Sequence, residues 1–265
     1  MKTVIVVPYG RKRYTELLIP QLLNFEPDEI RLWMNTDVVE DIEYAESIKS
    51  DIITLEYLPD GEKPSCDGRQ LHKFFLNCVD DDTVYVRFDD DIILVDDKEA
   101  FDKFIQFRKD HIEFFLVYGN ILNNAAITNL HQKNGTIPID QKVEFECLDD
   151  IGWKDPIFAE NLHRYILSKN ANLKQFYMPN YIVKNFKRVS INCVSWFGRQ
   201  FGKFGGVVHE HEEEFISTVM PLKTAKPICI YGEFVCVHYA FHTQRKHMDE
   251  NTDILQKYKD VIRTK

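Results

Sequence analysis

Three consecutive carboxylates, Asp89, Asp90 and Asp91, interrupt a run of β-formers that extends from Val84 to Leu94. Val84, Val86 and Phe88 alternate with Tyr85, Arg87 and Asp89, the period of a strand with two distinct faces. A strand interior cannot cheaply hold three anions, because each unpaired buried charge costs several kcal/mol. The acids are therefore expected where the strand emerges, facing something positive. Hard divalent cations take carboxylate oxygens, so the simplest partner is a metal ion carrying a diphosphate. A solvated acidic turn between two strands is the alternative.

The elements that must position these acids are legible from the apolar pattern. Thr3 to Val7 reads as a buried first strand, and Tyr14 to Leu23 as a helix with Tyr14, Leu17, Leu18 and Leu22 at helical spacing. Glu29 to Met34 and Ile52 to Tyr57 read as the next strands, separated by a helix from about Val38 to Lys49. Leu58-Pro-Asp-Gly61 closes the third strand as a turn, and Arg69 to Cys78 is expected to be helical. Strands alternating with helices predict an α/β sheet with parallel neighbours in this half.

The later half is less regular. Lys98 to His111 reads as a helix, Phe114 to Tyr118 as a strand, and the Asn-rich stretch 123–150 as a loop. Asp155 to Asn170 reads as a helix, with short strands at Met178 to Val183 and Val189 to Trp196. A final strand pair, Ile228 to Tyr231 and Phe234 to Tyr239, precedes one polar helix from about Met248 to Arg263. No repeat or linker divides the chain, which predicts one compact domain over residues 1–265.

Composition narrows the class. Hydrophobic residues make up 44% and charged residues 28% of the chain, as in globular domains with a core. A formal net charge of −9 argues against a nucleic-acid partner. It does not argue against a nucleotide ligand, since a bound metal reverses the local sign. No stretch approaches the roughly 18 apolar residues of a membrane helix, and Met1 to Pro8 is too short for a signal peptide. The six cysteines form no CxxC pair and no zinc-like spacing, so reduced core thiols and a cytoplasmic location are expected.

Three further stretches carry chemistry. Ligands of open α/β sheets collect at the carboxyl ends of strands, which puts the loop Pro8-Tyr9-Gly10-Arg11-Lys12-Arg13 beside the site. There Tyr9 is a candidate to stack on a base, and Arg11 or Arg13 to meet phosphate; a basic surface turn is the other reading. Asp67-Gly68-Arg69, at a helix entry, makes Gly68 and Arg69 candidates to meet the same nucleotide. Gly205 to Ser217 couples two glycines to Glu212, Glu213 and Glu214 ahead of an apolar helix start. The helix dipole favours acids in a first turn, which supplies a purely structural reading. His209-x-His211 also permits a zinc reading, without an evident third ligand. His238 follows the last expected strand.

Asp89-x-Asp91 resembles the DxD motif of GT-A glycosyltransferases. The chain is similar to family 2-like members of that group in the order of four pieces: strand-one loop, DxD, late acidic motif and late histidine. The resemblance implies the GT-A fold, a Rossmann-like mixed central sheet flanked by helices in a single domain. Residues 1–95 would form its nucleotide-sugar half and 96–265 its acceptor and catalytic half. It implies Mn²⁺ or Mg²⁺ held by Asp91, Asp89 and His238, with His242 as the fallback. Pro8, Tyr9, Arg11, Gly68, Arg69, Asp89 and Asp90 would contact a nucleotide-sugar, UDP-linked by default. An inverting transfer to a glycan or other hydroxyl needs a base, here one of Glu212, Glu213 and Glu214, with Glu213 the first choice. Gln244, Arg245 and Lys246 would face the departing diphosphate. Trp196 and Phe197 are expected either to form an acceptor platform or to serve the core.

The Glu-rich late motif and the glycine-poor first loop depart from better-known members. Other classes remain open. A haloacid-dehalogenase-type phosphatase places its Asp-x-Asp in the first strand, with Thr or Val where Ile93 stands here. A nucleotidyltransferase has a glycine-rich first loop that Pro8-Tyr-Gly-Arg11 does not match. A sugar-nucleotide hydrolase and a non-catalytic carbohydrate-binding protein on the same fold complete the alternatives, although the latter would be expected to have lost the acids.

Overall fold

The computed structural model describes residues 1–59, 62, 70–209 and 211–264. Among them nine strands, numbered in chain order, form one sheet. Strands β1 (Lys2–Tyr9), β2 (Glu29–Met34), β3 (Ile53–Glu56) and β4 (Thr83–Phe88) are parallel, in the order β3-β2-β1-β4. The sequences of β1 and β4 are almost continuously apolar, as burial on both faces requires. The sheet continues through β8 (Cys193–Phe197), antiparallel to both β4 and β6 (Val117–Leu122). Next comes β9 (Cys229–His238), parallel to β6 and antiparallel to β5 (Ile92–Val95) and to the short β7 (Tyr181–Ile182). The sheet is mixed and flanked by helices, the α/β architecture expected from the sequence.

Helices α1 (Lys12–Leu23) and α2 (Val39–Ile48) follow β1 and β2. A 3₁₀ helix, Leu71–Asn77, stands where Arg69 to Cys78 was expected to be helical. Helix α3 (Lys98–Asp110) starts at Asp97, whose side chain accepts from the Ala100 N–H. Asp155 caps α5 (Pro156–Ser168) in the same way, with proline at the first helical position. One core packs around Trp33, Phe75 and Trp196; a second gathers Phe158, Leu162, Tyr239 and Tyr258. Trp196 and Phe197 are fully buried, and the Trp196 indole N–H donates to the Cys78 carbonyl at 3.4 Å. They belong to the core and form no platform.

Three stretches differ from the sequence reading. The expected loop 123–150 opens with a buried helix, α4 (Ala125–Lys133). Three of its buried polar residues find partners: Asn124 caps the helix, Asn129 donates to the Val143 carbonyl, and His131 pairs with Asn120. The expected pair of strands after Ile228 is one strand, β9. Gly232, between the two expected strands, lets the single strand pass the Met178 carbonyl, where a Cβ would lie only 1.7 Å away. The long C-terminal helix is two, α9 (His242–Asn251) and α10 (Ile254–Arg263), divided where Thr252 is extended. The remaining α-helical segments of the described residues are α6 (Gly198–Gly202), α7 (Glu212–Glu214) and α8 (Met220–Thr224), the last two joined by a π turn. No helix of the described residues is long and apolar enough to cross a membrane.

Candidate active site

Where β4 ends, Asp89, Asp90 and Asp91 form the turn into β5, and each finds different partners. They open onto a cleft of about 680 Å³ lined also by Pro8, Gly10, Arg11, Asn35, Glu213 and His238. Asp90 is buried against the strand-one loop: it accepts from the Gly10 N–H at 3.0 Å and pairs with the Arg11 guanidinium. Burial pushes its carboxyl up, against the pull of Arg11.

Asp91 is the most heavily countered acid of the three. Its Oδ2 accepts from Arg11 at 3.2 Å and from Arg245 at 2.9 Å, and its Oδ1 is 3.4 Å from His238 Nε2. Burial alone would raise this carboxyl, but Arg11, His238 and Arg245 outweigh it and hold the group well below the usual carboxylate range. His238 is oriented from behind. Its Nδ1 lies 3.0 Å from the Asn123 carbonyl, which can only accept, so the neutral ring carries its lone pair on Nε2, toward Asp91. Asn123 holds that carbonyl in place from the left-handed region (φ 63°), its amide donating to the Tyr239 carbonyl and to Gln244.

Asp89 does not join this pair. Its oxygens accept from Arg87 at 2.8 Å and from Asn192 at 3.0 Å. Arg87, buried on β4, bridges onward to Glu212 at 2.7 Å. Burial alone would lower the Arg87 pKa and raise that of Glu212. For Arg87 the two carboxylates prevail and raise it, whereas burial prevails at Glu212 and keeps its pKa above the ordinary value. Among the described residues no group of three His, Cys, Asp or Glu converges as a metal cage. That holds for the three ligands read from the sequence and for His209 and His211; His209 meets the Phe215 ring edge-on at 4.7 Å.

The three late glutamates separate by environment. Glu214 is exposed, Glu212 is committed to Arg87, and Glu213 lines the cleft. One oxygen of Glu213, Oε1, takes Arg188 and the Cys147 thiol, which lies 3.0 Å away.

On the nucleotide side the reading of Tyr9 changes. Tyr9 is the last residue of β1 and is fully buried, with its hydroxyl donating to the Asp41 carbonyl, so its ring is closed to a base. Gly68 and Arg69 lie outside the described residues. Pro8 and Arg11 line the cleft beside Asn35, whose Oδ1 is buried without a hydrogen-bond partner among the described residues. Arg87, Arg188, Cys147, Asn123 and Trp153 were not singled out from sequence. Only Arg87 carried a signal there, as a cation inside the acidic strand.

No protein-family model matches the chain, and no curated protein matches it. Among solved structures it is similar to a 4-diphosphocytidyl-2C-methyl-D-erythritol synthase from Anaerococcus prevotii DSM 20548, with a TM-score of 0.45 and 11% identity over 98% of this chain and 95% of that one. It is also similar to a mannose-6-phosphate isomerase from Helicobacter pylori, with a TM-score of 0.39 and 13% identity over 88% and 87% of the two chains. Neither likeness is close enough to carry chemistry across.

Proposed function

We propose that this protein is a metal-dependent, inverting glycosyltransferase that moves a sugar from a nucleotide-sugar, UDP-linked, to a hydroxyl of a glycan acceptor. One observation carries the reading: Asp91 Oδ1 and His238 Nε2 face each other at 3.4 Å in the cleft that Glu213 also lines. Two acceptors so placed call for a proton or a cation between them. One carboxylate and one imidazole are acceptable to Mn²⁺, which would complete its coordination with phosphate oxygens and water; Mg²⁺ would rely on the carboxylate. The fit therefore favours Asp91 and His238 as the protein ligands, without Asp89.

When bound, the metal supplies Lewis-acid stabilisation of the charge on the leaving diphosphate. Arg11 and Arg245, both on Asp91, add fixed positive charge at the same place. Glu213 takes the acceptor hydroxyl proton as that oxygen attacks the anomeric carbon. The bond from that carbon to the diphosphate oxygen breaks, and its electron pair leaves with the nucleoside diphosphate. Asp89, held by Arg87 and Asn192, would accept from a ribose hydroxyl.

A screen of nucleotide-sugars with Mn²⁺ or with EDTA, with and without glycoside acceptors, tests the reading. Metal-dependent release of nucleoside diphosphate with glycosylated acceptor is the expected result. Release of pyrophosphate would instead indicate a nucleotidyltransferase. Release of free sugar whatever acceptor is present would indicate a hydrolase.

A further inference from the structure

Of the three tryptophans, Trp33 and Trp196 are fully buried, whereas Trp153 is half-buried on the wall of the cleft. His242 meets its ring edge-on with centroids 5.0 Å apart, and the Phe241 ring is 6.3 Å away. The backbone beneath it is fastened on two sides. Trp153 N–H donates to the Asp149 carbonyl at 3.0 Å, and its own carbonyl accepts from the Thr243 hydroxyl at 2.6 Å. The preceding carbonyl, of Gly152, accepts from Gln244 at 3.2 Å. A Cβ on Gly152 would lie 2.6 Å from Val143 Cγ1 and 2.9 Å from Ala125 Cβ, so only glycine lets the chain pass this close. A large aromatic held this firmly, yet left open to the cleft, is free to stack on a ligand.

We propose that Trp153 is the platform for the acceptor, a pyranose that lays a continuous C–H face on the indole, as gluco- and galacto-configured sugars do. The hydrogens of that face are partly positive and meet the negative face of the π system. Ser190, Asn192 and Glu213 line the same cleft and offer hydrogen bonds to hydroxyls at the sugar's edge. A nucleotide base is the other flat ligand available, but its expected place is elsewhere. Pro8, Gly10 and Asn35 stand at the ends of β1 and β2, at the far end of a line of contacts that runs from Arg11 through Asp91, His238 and Phe241 to Trp153. The acceptor role rests on the transferase reading; sugar stacking on Trp153 does not.

Acrylamide quenching of indole emission tests this in the wild-type protein, since the quenchable component comes from Trp153. The probes are methyl β-galactoside, methyl β-glucoside and methyl α-mannoside, each alone and with UDP and Mn²⁺. At least one β-glycoside lowers the quenching constant about twofold or more, because a bound ring covers most of the face it stacks on. Trp153→Ala weakens that glycoside about tenfold by saturation-transfer NMR, and Trp153→Phe restores part of the loss. Shielding by UDP alone would overturn the proposal, assigning the ring to the nucleotide. If no glycoside shields Trp153 while Mn²⁺-dependent UDP binding is seen by calorimetry, the platform falls and the transferase reading stands. Glycoside shielding without any metal-dependent nucleotide binding keeps the platform and removes the transferase reading.

Discussion

Arg188 grips a single oxygen of Glu213: its Nε and Nη2 both lie 2.7 Å from Oε1, which the Cys147 thiol also reaches. Among the described residues Oε2 has no hydrogen bond, so one oxygen is anchored and the other is left for a substrate proton. Glu213→Gln should therefore keep nucleotide affinity and lower turnover by roughly 10²–10⁴-fold, the usual loss of a general base. Steady-state kinetics beside calorimetry on the same preparation checks this, and near-wild-type turnover would remove the assignment.

The neighbouring glutamates should respond differently, because their surroundings differ. Glu212→Gln strips the buried Arg87 of one of its two carboxylates and should cost roughly 3 kcal/mol, read as a lower urea midpoint. Glu214→Gln, on an exposed side chain, should change neither turnover nor midpoint appreciably. Equal effects at all three positions would mean that the cluster acts only as a helix start.

Asp91→Asn should abolish Mn²⁺-dependent UDP binding. From the sequence, removing this acid relieves repulsion within a triplet. In the fold it leaves Arg11 and Arg245 without their shared carboxylate oxygen, so a lower melting temperature is expected as well. Calorimetry and thermal unfolding read the two effects separately. Retained metal-dependent affinity in a folded variant would sink the metal assignment.

Two buried histidines predict a pH effect on stability. Burial pushes both His131 and His163 down to about 4 from the ordinary 6.5. Unfolded, each binds a proton near pH 6.5; folded, only near pH 4. Their contribution is complete above pH 6.5 and is lost as pH falls through that window, up to about 3 kcal/mol each. Asp90 and Glu212 act in the opposite sense, since burial raises their carboxyls. The readout is therefore the difference between wild type and His163→Gln in urea midpoint against pH. A constant difference from pH 7 to pH 4 would refute it.

The parallel half of the sheet was written in local pattern. β2 spans Glu29–Met34 as expected, and α1, α2, α3 and α5 begin within two residues of their predicted starts, because an apolar face with period 2 or 3.6 is visible in one short window. That Asp89 to Asp91 leave the sheet at a strand end also follows locally, from the cost of burying anions. How the acids divide is not local. Asp91 meets His238 only because β5 pairs with β9, aligning Ile92 with His238, and Asp89, beside its near neighbour Arg87, reaches Asn192 only because β8 lies against β4. The polar helix α4 and the strand through Gly232 were hidden for the same reason: Asn129 and His131 find their partners, and Gly232 meets the backbone that requires it, in other segments of the chain. Trp196 went to the core, one of its two expected places, and Trp153 reached the cleft wall unannounced, because exposure depends on what packs over a ring, and nothing in a ring's immediate sequence specifies that.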